Sequence, residues 1–325
     1  MKKIWALLLV SFLLIGCSRA PEIQQESVAA EQSSEINEGE ESKNDSIPFV
    51  EESEESEEES ILESEPEENE VETPVDFEEL TVVDNDECVI RIVGIEPDNA
   101  WGYTLKVYLE NKSTDKTYMF SNNYTAVNSV EVDSLFVCEV AAGKKANDEL
   151  NILDSSIEEA GITDFTDIEI SFRVYDTDDW LADDVAEETI HIYPYGEENA
   201  TVFERKTQDS DNILVDNEYV TVTVTGFEND SIWGYTAKLF LQNKTDVSIM
   251  VTADESSVNG YMIDPFFATT VMPGKSKFSD MRWSTTDFEK NKITDVEEIE
   301  FILRVYNEED WLADDLVKEK ISLNP

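Results

Sequence analysis

One segment of this chain occurs twice, and this duplication limits the fold more than any other feature. WGYTLKVYLENK at 101–112 returns as WGYTAKLFLQNK at 233–244, and VAAGKK returns as VMPGKS. The stretch ITDFTDIEISFRVYDTDDWLADD at 162–184 returns at 293–315 as ITDVEEIEFILRVYNEEDWLADD. Three matched segments in one register, 131 or 132 residues apart, predict two copies of a single domain of ordinary size.

Both copies show the alternation of apolar and polar residues that is typical of half-buried strands. In EYVTVTVTG, Val220, Val222 and Val224 alternate with threonine. The other inward positions follow the same period of two: Cys88, Ile90 and Ile92; Leu105, Val107 and Leu109; Ala237, Leu239 and Leu241; Ile168, Ile170, Phe172 and Val174; Ile299, Phe301, Leu303 and Val305. Several short strands separated by turn signals predict an all-β chain in which each copy is an antiparallel β-sandwich.

Each copy also carries the signal for one short helix. Ser155-Ser156-Ile157-Glu158 and Thr286-Asp287-Phe288-Glu289 have the spacing of capping boxes, and Gly161 suits the position that follows a helix. Asn259-Gly260 predicts a tight hairpin turn, since both residues tolerate positive φ. The domains are predicted at 80–196 and 212–325, and the polar segment 197–211 between them is a candidate hinge.

The N-terminus predicts export and lipid attachment. Lys2 and Lys3 precede a short apolar run that is too short to span a bilayer, as expected of a signal peptide at 1–16. Leu-Ile-Gly before Cys17 resembles the lipobox of bacterial prolipoproteins. That resemblance implies cleavage before Cys17, acyl chains on the mature N-terminus and a lipid-anchored protein on the extracytoplasmic side of the cell membrane. The alternative is an ordinary cleaved signal followed by a chance cysteine.

A strongly acidic segment follows at 17–79. Residues 21–84 hold 25 acids and one base, and the whole chain has a formal charge of −52. Such a composition predicts a disordered linker, which as a flexible coil would span roughly 45 Å and lift the folded part off the membrane. A specific acidic recognition tail is the alternative. Because the mature chain has no basic stripe, nucleic acid is not expected as a partner.

Taken together, the lipobox, the acidic linker and the duplicated sandwich resemble bacterial surface lipoproteins of the clostridial type, which carry tandem immunoglobulin-like domains. The resemblance implies two tandem immunoglobulin-like β-sandwich domains and a surface location, and it implies no activity.

Residue types argue against catalysis. His191 is the one histidine of the chain, whereas a histidine-rich zinc site needs several and a catalytic triad needs one beside its nucleophile. No enzyme activity and no required cofactor are therefore expected. Cys88 and Cys138 remain after lipidation, and export would permit a disulfide between them. Cys88 also suits a small buried apolar side chain, because Val220 takes its place in the second copy.

The duplicated DDWLADD segment is the strongest candidate site. Calcium prefers several carboxylate oxygens on a short loop, and the candidate ligands are Asp176, Asp178, Asp179, Asp183, Asp184, Asp310, Asp314 and Asp315. The spacing does not match an EF-hand loop, and a solvated turn is the favoured interpretation.

The tryptophans of the same segment, Trp180 and Trp311, have two interpretations. Large rings usually pack in the core of a small sandwich. Alternatively, the two rings stand on loop tips and stack on a ligand.

The combined expectation is a membrane-anchored, non-enzymatic binding or adhesion module. Its partners would be the lipid bilayer, through acylated Cys17, and an envelope glycan or protein. A structural spacer or envelope-assembly lipoprotein is the first alternative, and a calcium-dependent carbohydrate- or protein-binding adhesin is the second.

Overall fold

A computed structural model describes residues 77–100, 102–230, 234–310 and 312–325. Lipidation of Cys17, the signal peptide and the acidic linker up to residue 76 lie outside the described residues, as do Trp101, Trp233 and Trp311. Among the described residues, no helix is both long and apolar enough to cross a membrane.

The first copy is built almost entirely of strands, with one helix, α1 (Asp154–Ala160). Its strands are β1 (Leu80–Asp84), β2 (Cys88–Asn99), β3 (Gly102–Asn111), β4 (Tyr118–Val127), β5 (Val130–Val132), β6 (Ser134–Leu135), β7 (Val137–Val140), β8 (Lys145–Ile152), β9 (Ile168–Asp176) and β10 (Ala186–Ile192).

The second copy begins after a single 3-10 turn at Glu197–Asn199 and has one helix, α2 (Thr285–Asn291). It repeats the strand order of the first copy, except that an isolated bridge between Phe266 and Arg282 replaces β6. Its strands are β11 (Asn212–Asp216), β12 (Val220–Asp230), β13 (Gly234–Asn243), β14 (Ile249–Val258), β15 (Tyr261–Met262), β16 (Ala268–Val271), β17 (Ser276–Trp283), β18 (Ile299–Asn307) and β19 (Val317–Leu323). The predicted all-β sandwich architecture is confirmed.

The period-two pattern places the apolar residues where the sequence predicts them. Ile90, Leu109 and Phe172 are fully buried in the first copy, as are Val222 and Leu241 in the second. The buried residues form two separate apolar clusters, one drawn from 83–192 and the other from 215–323. Each copy therefore has its own core, while the exact domain boundaries stay a prediction.

Three sheets make up the described part of the chain. One has the order β1-β2-β3-β8-β6, a second has the order β15-β14-β18-β19 with β16 beside β14, and a third contains strands of both copies. The third runs β10-β9-β4-β5-β17-β13-β12-β11, with β7 beside β4. Its two halves meet where β5 and β17 pair in parallel, Val130 opposite Ser276 and Glu131 opposite Lys277.

Segment 197–211, predicted to be a polar hinge, makes specific contacts. Phe203 packs against the first core, and its backbone N–H donates to the Asn128 carbonyl at 2.8 Å. Both terminal nitrogens of Arg205 lie 2.7 Å from the carboxylate oxygens of Asp211. The Arg205 guanidinium also lies 5.7 Å from the ring centre of Phe240, in the second copy. These contacts tie the segment to both copies, which a free hinge would not show.

The helix caps differ in detail from the prediction. Helix α1 begins at Asp154 after Leu153, which makes no side-chain cap, so the predicted Ser155 capping box is wrong. Helix α2 is capped by Ser284, whose hydroxyl accepts from Thr286 N–H, two residues before the predicted cap. Gly161 follows α1 with a φ of 70°, as predicted.

Candidate functional site

The described residues of the two DWLADD copies lie in exposed loops at the ends of equivalent hairpins. We call them the tip loops: residues 177–185 join β9 to β10, and residues 308–316 join β18 to β19. Trp180 is 65% exposed, Leu181 is 79% exposed, and Leu312 of the second loop is 78% exposed. Large apolar side chains that project this far into water at matched positions are available to a partner.

An arginine on the preceding strand fixes the base of each tip loop. In the first copy, Arg173 Nε donates to Asp184 Oδ2 at 2.7 Å, and the guanidinium lies 4.6 Å from the ring centre of Tyr175. In the second copy, Arg304 donates from Nε and Nη2 to both oxygens of Asp315, each at 2.9 Å. Planar, charge-assisted contacts of this kind hold a loop in one geometry.

The start of each loop is closed by a short polar side chain. Asp176 Oδ1 accepts from Asp178 N–H at 3.0 Å, and Asn307 Oδ1 accepts from Glu309 N–H at 2.9 Å. Lys116 Nζ also lies 3.1 Å from Asp176 Oδ2. The Asp178 backbone hydrogen bond, and then the Lys116 contact, lower the pKa of the Asp176 carboxyl. The substitution of Asn307 for Asp176 keeps the turn because both side chains offer an accepting oxygen.

A shallow groove of ≈ 440 Å³ lies beside the first tip loop. Its lining includes Glu87, Lys112, Lys116, Tyr118 and Val185. The Tyr118 hydroxyl donates to Glu87 Oε2 at 2.6 Å, and burial, followed by this hydrogen bond, raises the pKa of Tyr118 to about 12. The groove therefore combines a neutral phenol, carboxylates and ammonium groups next to an apolar tip.

In the second copy, Val247 and Ile249 stand in place of Lys116 and Tyr118, and Tyr219 stands in place of Glu87. The tip loops are thus duplicated, whereas Lys116 and the Tyr118–Glu87 hydrogen bond of the groove are not. Sequence reasoning missed this groove because its residues come from separate connections, and no local motif marks them.

The calcium prediction gains no support from the geometry. Asp184 and Asp315 are engaged by arginine, and Asp176 by Lys116. The remaining candidate ligands are exposed: Asp178, Asp179, Asp183, Asp310 and Asp314. Within residues 77–325, gaps excepted, no three acidic, histidine or cysteine side chains are grouped so that they could hold a metal ion. The calcium site stays a prediction, and the solvated turn fits the described geometry better.

The repeated aromatic residues divide into two groups. Tyr235 is buried and lies near the rings of Phe227, Trp283 and Phe288, as the core-packing interpretation predicts. That interpretation is wrong for Trp180, which projects from the loop tip. The placement required for ligand stacking is therefore present at Trp180, while Trp311 lies outside the described residues.

His191 is engaged by its neighbours, and the two cysteines are not bonded to each other. His191 Nδ1 lies 2.8 Å from Asp167 Oδ1, and its ring stacks on Tyr193. Cys88 and Cys138 are free thiols, so the predicted alternative of a disulfide is not formed. They lie in different sheets: Cys88 is on β2, and Cys138 is on β7 beside β4. Burial raises the pKa of Cys88 to about 11 and that of Cys138 to about 12, which suppresses thiolate chemistry.

The fold places the chain among all-β proteins with sandwich domains. No family model matches it, and no curated protein matches it. Among solved structures, the YadV chaperone is 10% identical with a TM-score of 0.21, and the match covers 68% of this chain and 92% of that one.

Two further structures show the same kind of likeness. The CsuC-CsuE chaperone-tip adhesion subunit complex of Acinetobacter baumannii is 12% identical with a TM-score of 0.21, over 67% of this chain and 90% of that chain. Red sea bream transglutaminase is 10% identical with a TM-score of 0.19, over 71% of this chain and 31% of its own.

Proposed function

We propose that this chain is a membrane-anchored surface lipoprotein whose sandwich domains act as a non-enzymatic binding module. The observation that carries the proposal is the pair of tip loops. The first presents Trp180 and Leu181, the second presents Leu312, and an arginine–aspartate pair fixes the base of each loop. A rigid base lowers the entropy lost when an exposed side chain binds a partner.

The composition of the tips favours an uncharged or cationic partner. Trp180 and Leu181 lie among the exposed carboxylates Asp178, Asp179 and Asp183. Apolar rings stack on sugar or peptide faces, while the surrounding acids repel anionic surfaces such as an acidic membrane. An envelope glycan or the extended segment of an envelope protein fits these conditions, and an anionic polymer does not.

The lipid anchor is the second part of the proposal. It rests on Leu-Ile-Gly-Cys17 and on the charged, apolar leader before it. Metabolic labelling with a lipid precursor should mark the wild-type chain and should not mark the Cys17→Ala variant. Equal labelling of the two would overturn the anchor and leave the binding role to be judged separately.

Capture of defined envelope fractions tests the binding role. The full chain carrying Cys17→Ser, immobilised, is offered purified wall polysaccharide and purified envelope proteins in separate experiments. We expect one fraction to be retained, and we expect Trp180→Ser with Leu181→Ser and Leu312→Ser to abolish retention. Val202→Ser is the control, because Val202 is comparably exposed, at 70%, but lies in the segment between the copies. If neither fraction is retained, the spacer alternative replaces the binding role.

A further inference from the structure

Within the chain, the two copies meet where β5 of the first pairs with β17 of the second. The corresponding strands are β15 in the second copy and β8 in the first, and among the described strands their matching edge residues have no such partner. In the first copy, Val130 and Glu131 on β5 are covered by β17 of the second. The residues at the same positions of the second copy are Tyr261 and Met262 on β15. Tyr261 is 49% exposed and Met262 is 70% exposed. Phe266, four residues after Met262 in the chain, is 76% exposed, so this part of the second copy exposes three large apolar side chains.

The complementary edge is open in the first copy. β17 corresponds to β8, where Lys145 and Ala146 take the places of Ser276 and Lys277. Among the described strands, β8 pairs with β3 along its length, and β6 joins its other side only at Asn151 and Ile152. The first residues of β8 therefore have one free side, at the position where β17 receives β5.

We propose that chains associate head to tail, with the open β15 edge of one molecule binding the β8 edge of a second copy. The contact would repeat the parallel pairing of β5 with β17, placing Tyr261 opposite Lys145 and Met262 opposite Ala146. An edge that offers unpaired backbone groups and exposed apolar side chains favours strand addition. Because the two surfaces differ, the association is heterologous and continues from molecule to molecule unless it closes into a ring.

The contact within the chain shows which interactions would be reproduced. Its backbone bond runs from Ser276 N–H to the Ser129 carbonyl at 2.9 Å. Lys275 Nζ lies 2.6 Å from Glu169 Oε2. The equivalent pair between two molecules is Lys144 with Glu300, which again joins a base to an acid.

Two other ion pairs would not be reproduced. Lys277 Nζ lies 3.0 Å from Glu131 Oε2 within the chain, and an apolar pair, Ala146 with Met262, takes that place between molecules. Lys238 pairs with Glu159 at 3.4 Å, whereas the equivalent residues are two bases, Lys106 and Lys290. The association between molecules is therefore weaker than the contact within the chain, which also benefits from covalent linkage.

Sedimentation of the full chain carrying Cys17→Ser tests the proposal. We expect the average mass to rise above the monomer value as concentration increases at physiological salt. Lys290→Glu should strengthen association severalfold, because it gives Lys106 of the neighbouring molecule an acidic partner, as Glu159 does for Lys238 within the chain. Met262→Glu should weaken association at least tenfold. Adding Ala146→Lys to it should restore association, because an acid and a base then face each other between molecules as Glu131 and Lys277 do within the chain. A mass that stays at the monomer value in every variant, or a double variant that associates no better than Met262→Glu alone, overturns the proposal.

Disulfide trapping identifies the surfaces in contact. Chains with Ala146→Cys are mixed with chains with Met262→Cys, and oxidation is expected to give a covalent dimer that neither variant gives alone. Leu181→Cys in place of Ala146→Cys is the control and should remain uncoupled. If Met262→Cys chains couple equally well to one another, the association is two-fold symmetric through β15, and the head-to-tail arrangement is wrong. Thermal melts of each variant show that a loss of association is not a loss of fold.

Discussion

Arg304 and Asp315 are joined by two parallel hydrogen bonds of 2.9 Å, whereas Arg173 donates to Asp184 from Nε at 2.7 Å. Arg304 also donates to Asp254 Oδ2 at 3.2 Å. The second tip loop is therefore joined both to the strand before it and to β14. The hydrogen bonds from Arg304 lower the pKa of Asp315 below its ordinary value of 3.8.

Asp315→Asn should reduce the free energy of unfolding by about 1–2 kcal/mol at neutral pH, because it removes a charge-assisted pair. The lowered pKa makes this contribution present above about pH 4, and it is lost as pH falls through the pKa of the folded state. Urea unfolding at several pH values measures the difference. The matched control is Asp314→Asn, since Asp314 is exposed. Equal effects of the two variants at neutral pH would contradict the structural role given to Asp315.

Gly234 allows the backbone of β13 to approach β17 closely. A Cβ at Gly234 would lie 2.1 Å from the Trp283 carbonyl oxygen, and its φ is 92°. Gly102 stands in the same relation to Ile152 O in the first copy, with a φ of 112°. Such a position strongly disfavours any side chain.

Gly234→Ala should therefore destabilise the chain by about 3 kcal/mol, from backbone strain together with overpacking. Gly226→Ala is the control, because a Cβ there would meet nothing within 4 Å and its φ is not in the left-handed region. Denaturant midpoints measure the stability of both variants. A Gly234→Ala chain as stable as Gly226→Ala would show that the strands do not approach so closely.

The two thiols should remain reduced and unreactive in the folded chain. Burial raises the pKa of Cys88 to about 11 and of Cys138 to about 12, so thiolate is scarce at pH 8. In the chain carrying Cys17→Ser, we expect slow alkylation by iodoacetamide in the native protein, fast alkylation in urea, and two labels without prior reduction. Peptide mass spectrometry under non-reducing conditions gives the count. A Cys88–Cys138 linked peptide would show that the predicted bridge does form.

Divalent cations should stabilise the folded part weakly and without selectivity. The paired aspartates are already bound to arginine or lysine, and the free acids are exposed and not grouped. Thermal melts with chelator, with millimolar Ca²⁺ and with equal Mg²⁺ should therefore show a small, equal rise from screening of the acidic surface. A rise of several degrees with Ca²⁺ alone, lost on Asp183→Ala with Asp184→Ala, would instead establish a calcium loop.

Local pattern was enough to predict the strands, because each inward set follows a period of two that only one face of a strand can satisfy. Asn259-Gly260 was predicted as a tight turn, and both residues have positive φ. The start of α1 was not predictable in this way, since Leu153 precedes it without a side-chain cap.

The arginine–aspartate pairs and the contact between the copies were also missed. Arg173 and Asp184 are 11 residues apart and meet only across a hairpin, while Glu131 and Lys277 are 146 residues apart. No short-range pattern in the sequence predicts contacts between residues this far apart. The same limit applies to Trp180: its exposure depends on where the hairpin ends relative to the core, which composition does not state.

The placement of Trp180 leads to the most direct test of the binding role. The full chain carrying Cys17→Ser and its Trp180→Ala variant are compared for melting temperature and for the Kd of the envelope fraction that the wild type retains. Because Trp180 projects from the loop, we expect an unchanged melting temperature and a Kd raised about tenfold, equivalent to about 1.4 kcal/mol. A large drop in melting temperature, or an unchanged Kd with Leu181→Ala and Leu312→Ala added, would contradict the account.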